Sequence, residues 1–478
     1  MPGVMPPTLR AWLPSRLALA CFLMGTLNNL TFVVNNAVAT TLLPGQVGLV
    51  YIINVCPELL VKGTAPCWWH WSGYNSKMIF AGVCFGANLL LVHSGLSVST
   101  GWKLVGVALS DLGGGLGEAS MLALSQSFEA PRICLSAWSS GTGAAGVIGY
   151  LLSMYALPLL GTAGRLTFAA LLLAAFWSTY FILLPKPTRV DNWMAGPLLA
   201  RGRGFCNAPS ENGAQHTATA SCAGDGESND ATVCERREVD PSTSSLGGAA
   251  EHDAISSAEH DTVAAAYAAA GLARPLTAPE KLAMLARLVP FVLPIVLVYW
   301  AEYAMQSGAW TAFALGGAIT SAHARERAYQ LLNLFYQVGV LISRSAGRLF
   351  TLSMCMLWVA AWAQVGMLVL FVADGAAQLW RGPSLVLPAL VVGLLGGTNY
   401  IQTMLAIDRC LPQRMREVAL ATISVGSPVG ILLADATGLL LQWCLFRYHH
   451  IIISQGGWCP LVPAQNASVH TTHVRREQ

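Results

Sequence analysis

The residues of this chain that are able to do chemistry lie inside stretches that are otherwise apolar. Tyr299, Glu302, Tyr303 and Gln306 stand at i, i+3, i+4 and i+7, which places them on one face of a helix. Asn28, Thr31 and Asn35 form a second such face, with Asn29 and Asn36 beside them. Asp111, Glu118 and Ser125 recur every seventh residue; Gln330, Asn333 and Gln337 form another stripe, and Asn399, Gln402 and Thr403 a fifth. Amides, hydroxyls and carboxylates in apolar helices have two uses. They hydrogen-bond one helix to the next, at only ~0.6 kcal/mol each on average, or they line a path for a polar solute or an ion. Five stripes in one chain favour the path. A carboxylate in such a setting, Glu302 or Glu118, is a candidate to exchange protons. No nucleophile-base pair, phosphate loop or metal-ligand spacing accompanies them, so the pattern points to no enzyme and to no cofactor.

The elements that must position these residues are set by composition. Of 478 residues, 54% are hydrophobic and 11% charged, against roughly 25% charged in soluble domains; the mean hydropathy is +0.53. This is the composition of an all-α polytopic membrane protein. The formal charge of +3 argues against nucleic acid as a partner. Spans near the ~20 residues that a bilayer requires are expected at about Leu17–Ala39, Gln46–Lys62, Lys77–Gly95, Trp102–Phe128, Ile133–Leu157 and Thr162–Leu184. Five more follow at about Leu288–Phe313, Ala328–Ile342, Leu349–Val372, Ser384–Ala406 and Val418–Phe446. The chain divides into an N-terminal half of six spans (1–185), a polar central segment (186–287), a C-terminal half of about five spans (288–446) and a tail (447–478). The central segment is rich in Ala, Ser, Glu, Asp and Gly, which predicts a disordered cytosolic connector. It is also where trafficking partners would dock.

Cysteines within the spans, among them Cys21, Cys134 and Cys444, read as small buried side chains. Cys206, Cys222 and Cys234 near His216 match no zinc signature. Alternating spans place Arg10, Arg16, Lys62, Lys77, Arg132, Arg344, Arg348 and the Arg409–Arg416 group on one side, taken as the cytosol. Arg325 and Arg327 fall on the other side; they line a vestibule there, or the eighth span starts earlier. Eleven spans would leave the tail in the lumen, with the sequon at Asn466 open to glycosylation.

The two halves repeat one another. L-G-G-G-L-G-E-A-S-M-L-A-L (Leu112–Leu124) aligns without a gap to L-G-G-T-N-Y-I-Q-T-M-L-A-I (Leu395–Ile407), and Ser140–Val147 aligns to Ser424–Ile431 after a one-residue shift. Lys62 closes the second span as Arg344 closes the eighth. Parallel repeats of this kind are the pattern of major facilitator transporters, whose substrate site lies between the halves near the midplane.

Several stretches resemble the battenin family of lysosomal and vacuolar membrane proteins. They are L-N-N-L-T-F-V-V in the first span, G-L-G-E in the fourth, W-S-S-G-T-G-A-A-G in the fifth and Y-W-A-E-Y-A-M-Q-S-G in the seventh. Y-Q-V-G-V-L-I-S-R-S in the eighth span and L-L-G-G-T-N-Y in the tenth complete the set. The resemblance implies a major-facilitator-like fold in the lysosomal or vacuolar membrane. It implies export of glycerophosphodiesters and a part in lumenal pH and basic amino acid balance. By motif it marks Glu302 and Arg344 as sensitive positions, with Glu118 and the Ser140–Gly143 segment. An anionic phosphodiester sits awkwardly among carboxylates and amides, and would need Lys62, Arg344 or Arg325. The residues so assembled for a pathway are Asn28, Asn29, Glu118, Ser140, Thr142, Tyr299, Glu302, Tyr303, Gln306, Gln337, Arg344, Asn399 and Gln402. The expected partners are a small polar solute, protons and membrane lipid. A trafficking scaffold that transports nothing, or a nucleoside-type carrier, are the alternatives.

Overall fold

The computed structural model describes residues 7–68, 72–128, 130–185, 278–315, 317–347, 349–380, 382–411, 416, 419–420, 423–451 and 459. The side chains of the first helix are described from Arg16. Asn466, the central segment through residue 277 and its cysteines lie outside the described residues.

Eleven long helices follow in order: α1 (Pro7–Ala37), α2 (Val47–Trp68), α3 (Tyr74–Asn88), α4 (Thr100–Ser125), α5 (Pro131–Leu151), α6 (Thr162–Ser178), α7 (Ala278–Ser307), α8 (Ala322–Ala346), α9 (Met354–Ala377), α10 (Val386–Cys410) and α11 (Gly426–Tyr448). In hydrocarbon the backbone must satisfy its own hydrogen bonds, which leaves helix as the only open-ended solution. Nine of the described helices are apolar and long enough to cross a membrane. The other two, α4 and α8, have 26 and 25 residues. They carry the charges Asp111, Glu118 and Arg344, and hide them by turning a polar face inward.

Local chemistry sets the ends. Pro131 occupies the first turn of α5, where its missing N–H costs nothing. Ser321 caps α8 by accepting from Ala324 N, and Ser353 caps α9 by accepting from Met356 N. α3, α5 and α6 each finish in a π-helical turn, at Leu89–His93, Leu152–Ala156 and Thr179–Leu183. Arg16 of α1 donates to the carbonyls of Leu183 (2.8 Å) and Ile182 (2.6 Å) at the end of α6. The start of α1 and the end of α6 therefore share one side of the bundle, called here the near end.

Helix packing repeats with a period of six helices. α1 packs on α5 as α7 packs on α11, α2 on α4 as α8 on α10, and α3 on α4 as α9 on α10. The halves meet through α5 against α8 and α2 against α11, which are themselves related by the same shift. All eleven helices belong to one compact unit. Glycines permit the closest crossings. Gly25 faces the Trp138 carbonyl and Gly141 the Phe22 carbonyl where α1 meets α5; Gly339 faces Leu390 O and Gly393 faces Tyr336 O where α8 meets α10.

Three expectations change. Cys21 and Cys134 are not separate small side chains: the close α1–α5 crossing brings their Cα atoms to 5.4 Å and they form a disulfide, as do Cys444 and Cys459. Arg325 and Arg327 belong to the first turns of α8, which starts six residues before Ala328. Arg325 donates to Ile319 O at 2.6 Å and lies over the Phe446 ring at 5.1 Å, so it fastens the α7–α8 connection. Lys62 is not an end-of-span cation, because α2 continues to Trp68 and the amine is buried.

The α5–α8 contact yields a test. A Cβ on Gly143 would stand 2.9 Å from Leu341 Cα, which is backbone and cannot swing aside. Gly143→Leu is expected to cost at least about 1–3 kcal/mol of packing energy and to reduce the monodisperse fraction in size-exclusion chromatography. Wild-type yield with wild-type thermal stability would show that the two helices part freely.

Candidate functional site

A cavity of about 580 Å³, counting its open side, lies between the halves. Each half supplies four helices, again at a shift of six. α1 gives Asn28, Asn29 and Phe32; α2 gives Glu58; α4 gives Asp111, Gly114 and Glu118; α5 gives Thr142. α7 gives Tyr299 and Tyr303, α8 Arg344, α10 Tyr400, and α11 Ser427 and Ile431. The charged members come from the late parts of α2, α4 and α8, and Ser427 from the start of α11, so the cavity is displaced toward the near end.

Lys62 is the electrostatic centre of one wall. Its side chain is fully buried and its Nζ pairs with Glu58, with Glu118 Oε2 at 2.8 Å, and with the Ser424 carbonyl at 3.2 Å. The second oxygen of Glu118 accepts from Tyr400 OH at 3.1 Å. Asp111 is buried beside Glu58, with Oδ2 unpartnered. The opposite wall holds a second cation in a different state. Arg344 donates to Thr142 Oγ1 and to Tyr299 OH (3.2 Å), and lies 4.3 Å over the Tyr400 ring. Its Nε has no partner, and among the described residues the ion pairs recorded are those of Lys62. A guanidinium held by neutral groups and facing a cavity is poised to take an anion through its planar fork.

The floor is aromatic. Tyr299 and Tyr303 stack at 5.9 Å, Phe32 tilts against Tyr303 at 6.4 Å, and Tyr51 meets Tyr303 edge-on at 5.9 Å. Beyond the floor the far end is shut by hydrogen bonds across the halves. Tyr51 and Tyr329 share a bond of 2.8 Å, Tyr329 OH donates to Asn36 O at 3.0 Å, and Val47 N donates to Gln442 Oε1 at 3.1 Å. Trp443 Nε1 donates to Gly45 O at 3.1 Å. The structure is closed at the far end, and its cavity faces the near end.

Of the residues expected on the pathway, Asn28, Asn29, Glu118, Thr142, Tyr299, Tyr303 and Arg344 line the cavity. The others do not. Glu302 is buried within the C-terminal half, accepting from Tyr336 OH (3.0 Å) and Gln364 Nε2 (3.4 Å); it is 100° around the helix from Tyr303. Gln306 is buried one turn further on. Asn399 donates to Leu357 O at 3.0 Å, and Gln402 donates to Gly347 O and Phe350 O, both at 2.8 Å. Both are ties inside the C-terminal half. Ser140 bonds to its own helix at Ser136 O, and Gln337 lies over Gly146 at the α5–α8 crossing. Glu58, Phe32, Tyr400, Ser427 and Ile431 were missed. Glu58 had a legible signal: an acid four residues before Lys62 in an apolar span is an i,i+4 pair.

The Lys62 node has a measurable consequence. Removing one partner of a buried ion cluster leaves charge unpaired, at about 3–5 kcal/mol. Lys62→Met should lower the unfolding midpoint of the purified protein sharply, and Lys62→Met with Glu58→Gln and Glu118→Gln should recover most of the loss. Equal midpoints for wild type and the single variant would remove the node as a structural requirement.

The crystal structure of a D-xylose-proton symporter superposes with a TM-score of 0.50 at 12% identity, covering 92% of this chain and 95% of that one. The helical bundle has the fold of that symporter. Protein btn-1 of Neurospora crassa is 28% identical over 466 residues, covering 93% of this chain and 91% of its own. Battenin of Canis lupus familiaris is 27% identical over 400 residues, covering 82% of this chain and 76% of its own. The CLN3 protein family model matches residues 19–448, nearly all of the helical bundle, and the chain belongs to the CLN3 protein family.

Proposed function

We propose that this membrane protein is a secondary transporter of a small anionic solute, working by alternating access across the lysosomal or vacuolar membrane. The observation that carries the reading is Arg344, a cavity guanidinium whose hydrogen-bond partners are all neutral and which shares no ion pair among the described residues, with Glu118 and Glu302 acting on it only at longer range, while Glu58 and Glu118 pair with Lys62. That division of charge resolves the conflict between an anionic substrate and an acidic lining. Lys62 offsets one negative charge among Glu58, Asp111 and Glu118, and Arg344 is the group that would receive the anion. The chemistry fits a glycerophosphodiester, the class implied by the family resemblance. Its phosphate would take the Arg344 fork, and its hydroxyls the amides of Asn28 and Asn29 and the hydroxyl of Ser427, all of which line the cavity. Effects on lumenal pH and basic amino acids are then consequences of the cycle. The near end is the cytosolic side in this reading, so a far end shut by Tyr51, Tyr329 and Gln442 is a closed lumenal gate.

Arg344→Lys keeps the charge and loses the fork. In vesicles loaded with a labelled glycerophosphodiester, it should raise KM about tenfold or more, the worth of one to two charge-assisted hydrogen bonds. Arg344→Gln should abolish saturable transport while leaving the protein monodisperse. Unchanged KM in Arg344→Lys would separate Arg344 from the anion. Saturable uptake of uridine in place of the diester would support the nucleoside reading.

A further inference from the structure

One buried carboxylate has no place in the cavity chemistry. Asp435 is on α11, eight residues after Ser427, four after Ile431 and seven before Gln442. Those offsets keep all four residues on one helix face. Ser427 and Ile431 line the cavity, and Gln442 accepts from Val47 in the far gate. Asp435 thus stands between cavity and gate, on the seam where α11 crosses α2 and where its own carbonyl faces Gly48.

Its surroundings are closed to the outside and, among the described residues, hold no cation. Asp435 is 0% exposed and neither carboxylate oxygen has a hydrogen-bond partner. From α7 it meets the hydroxyl of Ser307, which donates to Tyr303 O at 2.9 Å. From α2 it meets the Cys56 thiol, and from α8 the phenol of Tyr329. No lysine, arginine or histidine among the described residues acts on it. The other buried carboxylates are different in kind: Glu58 and Glu118 have Lys62, Asp111 lies beside Glu58 and within the field of Lys62, and Glu302, inside the C-terminal half, has Tyr336 and Gln364. A bare carboxylate without cation or donor is not retained in a closed apolar seam, whereas the neutral acid is tolerated there.

The geometry points to Asp435 as a proton-binding site of the transport cycle, filled while the far gate admits water, occupied when that gate shuts, and emptied toward the near-end cavity along the helix face that carries Ile431 and Ser427. This rests on the transporter reading and adds its coupling ion. The step is a simple protonation: one proton from the lumenal solution forms an O–H bond on a carboxylate oxygen, and breaking that bond returns the proton to water. No other bond changes. Closing the gate around the neutral acid is permitted; closing it around the anion requires burying an unpaired charge. The sign follows. Low lumenal pH favours the shut gate, and rising pH favours the open one. Since the loaded proton leaves with the solute toward the near end, an acidic lumen drives export.

The test reads the gate and not the solute. Full-length protein in vesicles receives spin labels at Thr41→Cys and Tyr448→Cys, exposed positions flanking the gate in the two halves, after replacement of Cys355 and Cys410, the exposed free thiols among the described residues, and of Cys67, Cys206, Cys222 and Cys234. Wild type should show a short distance at acidic pH and a growing long-distance population as pH rises. Asp435→Asn, a near-isosteric mimic of the neutral acid, should still open in a fraction of molecules but give one distance distribution that does not change with pH, whereas Asp435→Glu should keep the pH response. Labelled-diester exchange should persist in Asp435→Asn within about twofold, because the Arg344 cavity is intact, and uptake driven by a proton gradient should be lost. A wild-type pH response in Asp435→Asn overturns the inference, as does a wild-type gate indifferent to pH. In either event Arg344-dependent exchange would leave the transporter reading standing; its absence would remove both.

Discussion

The structure depends on the burial of one lysine. Lys62 holds Glu58, Glu118 and the Ser424 carbonyl at once. Isolated charges are costly at membrane depth, so a polar cavity in a bundle this apolar needs its charges to answer one another. Lys62 answers two of them on α2 and α4 and reaches across to the chain just before α11. Because that wall is internally satisfied, Arg344 on the opposite wall is left with hydroxyls and a ring. One lysine therefore decides both where the acids of the cavity are held and which cation is left without an ion pair among the described residues.

The two halves are fastened internally by different means. In the N-terminal half, α1 and α5 approach through Gly25 and Gly141, with the Cys21–Cys134 bridge beside the crossing. Amides add ties to α3 and α4: Asn88 donates to Asn35 Oδ1 at 3.0 Å, and Asn28 to Gly114 O at 3.0 Å. In the C-terminal half, side-chain pegs dominate: Glu302 with Tyr336 and Gln364, Asn399 with Leu357, Gln402 with the α8–α9 connection. Between the halves the contacts are fewer and sit at the two ends of the cavity, the arrangement that rocking of one half on the other requires.

Much of the fold was legible because membrane physics is strict. Length, hydropathy and the glycine-rich repeat give eleven spans near their observed places, and α4 matches α10 across the bundle as Leu112–Leu124 matches Leu395–Ile407. The site was legible only by half, for a reason seen in α7. A stripe of polar residues covers a wide arc, and the arc of Tyr299, Glu302, Tyr303 and Gln306 is shared between the cavity and a neighbour. Periodicity cannot say which part faces which; only the placement of α8 and α9 sends Glu302 toward Tyr336 and Gln364. Asn399 and Gln402 look the same in sequence as Asn28, yet their partners are backbone carbonyls of a connection. Asp435 carried the same signal as Glu118, an acid in an apolar span with Gln442 seven residues on, and was missed.

The ties at the near end all cross the same boundary. Arg344 with Thr142, Tyr400 with Glu118, and Lys62 with Ser424 each join one half to the other. Gln402 binds the end of α8 to α10, so Arg344 and Tyr400 travel together and the three ties must part together. At about 1 kcal/mol net per hydrogen bond, the set amounts to a latch of about 3 kcal/mol. Such a gap leaves the fully parted form at roughly 1% of molecules at rest. Removing any one of the three ties, at about 1 kcal/mol, raises that parted population roughly fivefold, so the rest position of the two halves is set by how many of these three bonds are made at once.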